Sequence, residues 1–258
     1  MSLPQVKTPK FDTKLPSNGE SVKYRPFLVK EQKLVLQAIE MKDQNQLNNA
    51  LDDVLKDCTF HKLDIDSLPV YDIEHLIMQI RSKSVGEMVE INFVCQNHIE
   101  NKLLNVEQLK HQPNAEEKRG PGKCETKIPL RINLAQLEVK KAKRPDNVVM
   151  FTGEIGVVLR DLPYGVYKKI SGSTVDNGLN AIAACIESVI DGESVHNRGD
   201  FTDEELIGWV ENLVGDDFDK MDEWIKSMPT LKMELPIICP SCGAKDTVHL
   251  EGLDDFLA

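Results

Sequence analysis

Near the C-terminus, Cys239-Pro240-Ser241-Cys242-Gly243 sits between two strand-like segments, with Met233, Leu235 and Ile237 before it and Thr247, Val248, His249 and Leu250 after it. Two thiols three positions apart in a tight turn present both sulfurs to one metal ion. The glycine that follows can take positive φ without a Cβ clash. Such a knuckle supplies two ligands, whereas a closed structural zinc site needs four. The matching partner is Cys95-Gln96-Asn97-His98, built alike: Val89, Ile91 and Phe93 alternate with Glu90 and Asn92 before it, and residues 99–106 read as a return strand. The predicted ligand set is therefore Cys95, His98, Cys239 and Cys242, with zinc as the structural cofactor and Cys124 as the alternative to His98. This pattern constrains the fold strongly. If both turns grip one ion, the middle of the chain and its end are neighbours.

The rival readings of the same cysteines are weaker. Thiolate activation for redox work usually comes from a following helix N-terminus, but a β-like Asp246-Thr247-Val248 follows Cys242. Ordinary thiols in hairpin turns are the bland alternative. Cys58 and Cys185 fall on or beside apolar helix faces and read as small buried hydrophobes. A closed four-ligand site leaves no open position for water and implies no hydrolysis.

The length of 258 residues and 41% hydrophobic content allow one large domain or two small ones. A net charge of −11 argues against a nucleic-acid surface, which needs a basic footprint. The short basic run 140–144 reads as a solvated loop. No apolar run approaches 18 residues, which argues against a membrane span, and residues 1–10 lack the apolar core of a signal peptide. Six cysteines in a chain of this length, two of them in a CxxC, point to metal binding in a reducing compartment.

Along the chain, residues 1–24 are rich in Pro, Ser and Lys and read as an extended arm with one turn. Residues 25–85 form a helical unit. One helix runs through Ile39. A second is marked by Leu47, Ala50, Leu51, Val54 and Leu55, with Asp43 as N-cap. A third spans about 69–83, capped by Ser67 or Asp66. Residues 86–160 are a β-rich insertion, with a hairpin across the Cys95/His98 turn, a polar exposed loop over 111–124, and strands around 128–139 and 148–159. Residues 161–230 are a second helical unit. There Leu179, Ile182, Ala183, Ile186, Val189 and Ile190 make one apolar helix face, Thr202-Asp203-Glu204-Glu205 is a capping box, and a short helix carries Phe218, Met221 and Ile225. Residues 231–258 are a C-terminal β-hairpin expected to pair with 86–110. The predicted class is α+β: helical N-terminal and C-terminal segments packed around a hairpin-rich middle, with the C-terminal hairpin joining the middle sheet.

No nucleophile elbow, phosphate-cradling glycine loop or HExxH is present, so no catalytic constellation is predicted. The acidic pairs Asp52-Asp53, Asp216-Asp217 and Asp254-Asp255 sit at helix faces or termini, where solvation and the helix dipole account for them.

The run Arg25-Pro26-Phe27-Leu28-Val29-Lys30-Glu31-Gln32-Lys33-Leu34-Val35-Leu36-Gln37-Ala38 resembles a segment of the baseplate hub family of T4-like contractile-tailed phages, as does the turn Leu15-Pro16-Ser17-Asn18-Gly19 before it. The likeness continues at Asp57 to Phe60, Leu68 to Glu74, Gln79 to Glu87, Ile155 to Leu159 and Leu250 to Phe256, nearly end to end. The resemblance implies a non-enzymatic hub component or hub assembly chaperone. Its partners would be other phage baseplate hub or tail proteins, and the charge and hydropathy add the expectation of no nucleic acid and no membrane span. It would be located in the infected host's cytoplasm during assembly, or in the tail baseplate of the virion. In similar proteins the position of Cys239 to Cys242 is often an ordinary turn without cysteine, so the metal would reinforce this chain locally. A zinc-ribbon adaptor binding a host or phage partner is the alternative, and salt-sensitive binding to DNA or RNA would favour it. An oxidoreductase using Cys239 and Cys242 is the third reading.

Overall fold

The computed structural model describes residues 7–103, 119–134, 137, 139–140, 144–151, 153–170 and 174–252. Two strands open the chain, β1 (Phe11–Lys14) and β2 (Ser21–Tyr24), followed by helices α1 (Val29–Met41), α2 (Gln44–Cys58) and α3 (Val70–Val85). The strand-rich middle holds β3 (Met88–Val94), β4 (His98–Leu103), β5 (Arg119–Lys123), β6 (Lys127–Asn133), β7 (Val139–Lys140), β8 (Val148–Met150) and β9 (Ile155–Leu159). Then come α4 (Tyr164–Tyr167), α5 (Thr174–Ala184), β10 (Ile186–Asp191), β11 (Ser194–Asn197), α6 (Asp203–Glu211), α7 (Gly215–Lys226), β12 (Thr230–Ile238) and β13 (Lys245–Glu251). The class is α+β, with helices on both sides of the strand-rich middle. The C-terminal hairpin joins the middle through β12, whose Thr230 and Leu231 pair with Lys140 and Val139 of β7.

The chain divides into two compact units, Met1–Gly86 with Glu138–Leu231, and Glu87–Leu137 with Lys232–Ala258. In the first unit, the stretch expected as an extended arm forms a hairpin, with Phe11 opposite Tyr24 and Lys14 opposite Ser21. Its turn closes by the Gly19 N–H donating to the Leu15 carbonyl at 2.9 Å, and Gly19 takes φ 75°, which its missing Cβ permits. Asp43 caps α2 as expected, its side chain accepting from the Asn45 and Gln46 N–H groups. At α3 neither Ser67 nor Asp66 caps. Pro69 holds the N-cap position without a side-chain bond, and the Ser67 hydroxyl donates to the Asp64 carbonyl instead. Asp72 in the first turn accepts from the Ser17 backbone N–H and hydroxyl, tying α3 to the β1–β2 turn. Ile73, Leu76, Met78 and Ile80 of α3 are essentially buried.

His75, on the same helix, lies 2.8 Å from the Thr13 hydroxyl, and burial pulls its pKa below the ordinary 6.5. The unfolded chain therefore takes up this proton first as the pH falls. The stability contribution is full above about pH 6.5 and is lost as the pH drops from there through the folded-state value. The urea midpoint is expected to fall between about pH 7.5 and pH 5.5, and the fall should be smaller in His75→Gln. An equal fall in both proteins would assign it to other groups.

The second half of the first unit is an antiparallel sheet in the order β11-β10-β9-β8. Residues of α5, α6 and α7 pack on it, giving a core of Phe151, Val157, Leu159, Ile182, Ile186, Leu206, Val210, Met221 and Trp224. The single apolar helix face expected over 179–190 is divided here. The helix stops at Ala184, and Ile186, Val189 and Ile190 belong to β10, paired with β9. A β-branched cluster just before the Asp191-Gly192 turn fits a pleated surface better than a helix. Gly192 takes φ 60° in that turn.

In the second unit the pairing differs from the hairpin expected across the Cys95/His98 turn. Strand β3 pairs along its whole length with β6, from Met88 opposite Asn133 to Val94 opposite Lys127. Strand β4 pairs with β5, which occupies part of the stretch read as a polar loop. Arg119-Gly120-Pro121-Gly122-Lys123 carries no alternating apolar pattern, and its place as a strand is set by β4 opposite it. Residues 111–118 and 253–258 lie outside the described residues. The C-terminal hairpin runs from Lys232 opposite Glu251 to Ile238 opposite Lys245.

Candidate metal centre

Two turns in the second unit build the site. The β3–β6 ladder ends at Val94 and Lys127. Beyond it the Cys95 N–H donates to the Thr126 carbonyl at 3.0 Å, the Glu125 N–H to the Cys95 carbonyl at 2.9 Å, and the Cys124 N–H to the Asn97 carbonyl at 2.8 Å. Pairing then resumes with His98 opposite Lys123. The strands β4 and β5 are thus the outer part of one long hairpin with an irregular waist, where Glu125 takes φ 55°. Cys95 and Cys124 stand on opposite sides of that waist. The second turn joins β12 to β13: the Cys239 N–H donates to the Ala244 carbonyl at 2.8 Å and the Gly243 N–H to the Cys239 carbonyl at 2.9 Å. Gly243 has φ 71°, the conformation its position after the second cysteine calls for.

These turns bring the sulfurs of Cys95, Cys124, Cys239 and Cys242 within 4.8 Å of one another. Cys95 and Cys242 are 3.8 Å apart, and Cys124 and Cys239 are 3.6 Å apart. Four thiolates about 2.3 Å from a tetrahedral ion lie about 3.8 Å from each other, so the spacing suits a four-sulfur zinc site. It is too long for the roughly 2.05 Å of a disulfide, and all four thiols are free. Cys95 and Cys239 are buried, while Cys124 and Cys242 are partly exposed. The Asn97 amide nitrogen lies 3.7 Å from the Cys242 sulfur and the Thr126 hydroxyl 3.2 Å from that of Cys124, the kind of outer contact that orients metal ligands.

Without a cation, four adjacent thiols resist joint ionisation. Cys239 is pulled down to about 6, chiefly by the Cys242 backbone N–H with help from that of Ser241. For Cys95 the Asn97 N–H favours the thiolate, but burial and the sulfurs of Cys239, Cys242 and Cys124 outweigh it and push the thiol up to about 12. A soft divalent cation at the centre would remove that conflict by stabilising every thiolate at once.

Of the predicted ligands, Cys95, Cys239 and Cys242 are brought together, and the residue that joins them is Cys124, the alternative to His98. His98 begins β4 and has its backbone opposite Lys123. The x2 spacing that favoured His98 assumed a simple turn, whereas Cys124 reaches the waist from the opposite strand. The available signal was subtraction. Cys58 and Cys185 belong to helix-flanking core positions, which leaves four cysteines for the site. Both are fully buried, and burial pushes each thiol up to about 12, so neither is reactive.

Outside this centre, the segment from Arg25 to Ala38 has a structural role. The Arg25 guanidinium donates to both carboxylate oxygens of Glu31, at 2.9 and 2.8 Å. Glu31 also accepts the Leu28 N–H at 2.6 Å, capping α1. A family model described as T4 bacteriophage base plate protein matches residues 8–258. The chain belongs to the T4 bacteriophage base plate protein family. The baseplate hub assembly protein gp26 of Enterobacteria phage T4 is similar to this base plate family protein, 25% identical over 248 residues that cover 96% of each chain. No solved structure matches it. Among the described residues, no helix of this base plate family protein is long and apolar enough to cross a membrane.

Proposed function

We propose that this base plate family protein takes part in building a phage tail baseplate hub, as a hub component or an assembly chaperone, and catalyses no reaction. The supporting observation is that its likeness to the hub assembly protein of phage T4 runs over 96% of both chains. Its partners are other hub or tail proteins of the same phage, met in the host cytoplasm during assembly or retained in the virion. Val29 and Leu36, two turns apart on one face of α1, are exposed apolar side chains that suit burial against another protein. Within this reading the thiol group is a structural zinc clasp between the waist of the long hairpin and the C-terminal turn. The sulfur distances support Cys124 as the fourth ligand.

Deleting the gene from its phage tests the function. Lysates are expected to contain tail fibres and heads but few complete tails when viewed by electron microscopy, and expression of the protein in trans should restore infectious particles. Normal, infectious particles without it would overturn the proposal.

A further inference from the structure

Building on the zinc reading, we infer that the ion is the folding nucleus of the second unit alone, while the first unit folds without it. The two pieces of the second unit, Glu87–Leu137 and Lys232–Ala258, are separated by a long stretch of chain that belongs to the first unit. Joining them carries the loop-closure cost of a distant contact. The buried apolar side chains that could drive this are few: among the described residues they are Ile128, Ile132, Leu134, Leu137, Ile237, Val248 and Leu250, with the sulfurs of Cys95 and Cys239 buried beside them. Two-stranded hairpins of this kind are marginal in water on their own. The first unit differs. It has a core of large side chains, including Met221 and Trp224, that contains none of the four sulfurs.

The sulfur arrangement fits a cross-link between hairpins. Both close pairs, Cys95 with Cys242 and Cys124 with Cys239, join the long hairpin to the C-terminal one. An ion at their centre ties the two pieces together at their turns. At the waist of the long hairpin the regular ladder gives way to isolated backbone bonds and Glu125 takes a positive φ, and it is this irregular turn that carries two of the four sulfurs. Small domains that lack an adequate core commonly fold only when metal is bound.

The test is hydrogen exchange read by mass spectrometry on the full chain. The protein is prepared metal-free under anaerobic, reducing conditions, then measured again with an equivalent of zinc. Zinc is expected to slow exchange in β3, β6, β12 and β13 by about tenfold or more, and to leave α3, α5 and α7 unchanged. A protein that takes up zinc but protects the second unit equally without it would overturn the nucleus while leaving the zinc site intact. Loss of protection in α3, α5 and α7 as well would overturn the confinement to one unit. Failure to take up zinc would overturn the site and the nucleus together.

Discussion

Replacing Arg25 by alanine is expected to destabilise the protein by about 3–5 kcal/mol, the range found when one partner of a buried ion pair is removed. The guanidinium is 12% exposed and the Glu31 carboxylate 6% exposed, so the pair is held largely out of water. Burial alone pushes the Glu31 carboxyl up, but the Arg25 hydrogen bond and the Leu28 N–H bring it below the usual range. Without Arg25, the carboxylate keeps the Leu28 N–H and loses its two-pronged partner. Lysine should rescue only part of the loss, because an ammonium cannot match both oxygens. The informative comparison is Arg25→Met combined with Glu31→Gln, which removes both charges and keeps a side chain that can bond the Leu28 N–H. It should cost well under half of what Arg25→Ala costs in denaturant unfolding. Equal losses would mean that packing, and not an abandoned charge, accounts for the effect. The sign with pH follows from the lowered carboxyl: the pair's stabilisation is full above the ordinary glutamate value of about 4.5 and is lost as the pH falls through the folded-state value.

Trp224→Ala is the second large effect, expected at about 3–5 kcal/mol, the usual range for truncating a buried large aromatic side chain. Trp224 is 3% exposed in the core under the β8–β11 sheet, beside Met221, which is fully buried. The Arg144 guanidinium lies over its ring, 4.3 Å from the centroid, and is itself paired with Asp161. Truncation would remove the ring and the face on which Arg144 rests. The indole nitrogen is buried without a hydrogen-bond partner among the described residues. Phenylalanine therefore sacrifices no such bond, and Trp224→Phe should cost only about 1–2 kcal/mol, mostly for lost volume. A tryptophan-to-phenylalanine loss as large as the alanine loss would point to an unseen partner for the nitrogen.

The elements that were legible in the sequence are those decided by neighbours along the chain. Asp43 announced α2 through a hydroxyl-free cap that needs only the next turn. Thr202 and Glu205 announced α6 through reciprocal bonds over three residues, and both bonds are present. Elements decided by distant partners were not legible. Ile186, Val189 and Ile190 fit a helical period until β9 is present to pair with them. Gly120 to Gly122 look like loop because their place in β5 depends on the backbone of β4. The site divides in the same way. Cys239 and Cys242 are visible as a local motif, and the alternating strand before Cys95 marks its turn. Cys124 reaches the group only because β3 pairs with β6 and carries the waist between them, a non-local fact that no spacing rule contains.

Metal content is the most direct test of the four-sulfur centre. The full chain and five variants, Cys95→Ser, Cys124→Ser, Cys239→Ser, Cys242→Ser and His98→Ala, would be prepared under anaerobic, zinc-replete conditions and analysed by elemental mass spectrometry. The unaltered protein and His98→Ala are expected to hold about one zinc per chain, and each serine variant to bind it far more weakly or lose it. Zinc absent from the unaltered chain, or lost on His98→Ala while Cys124→Ser retains it, would contradict the account.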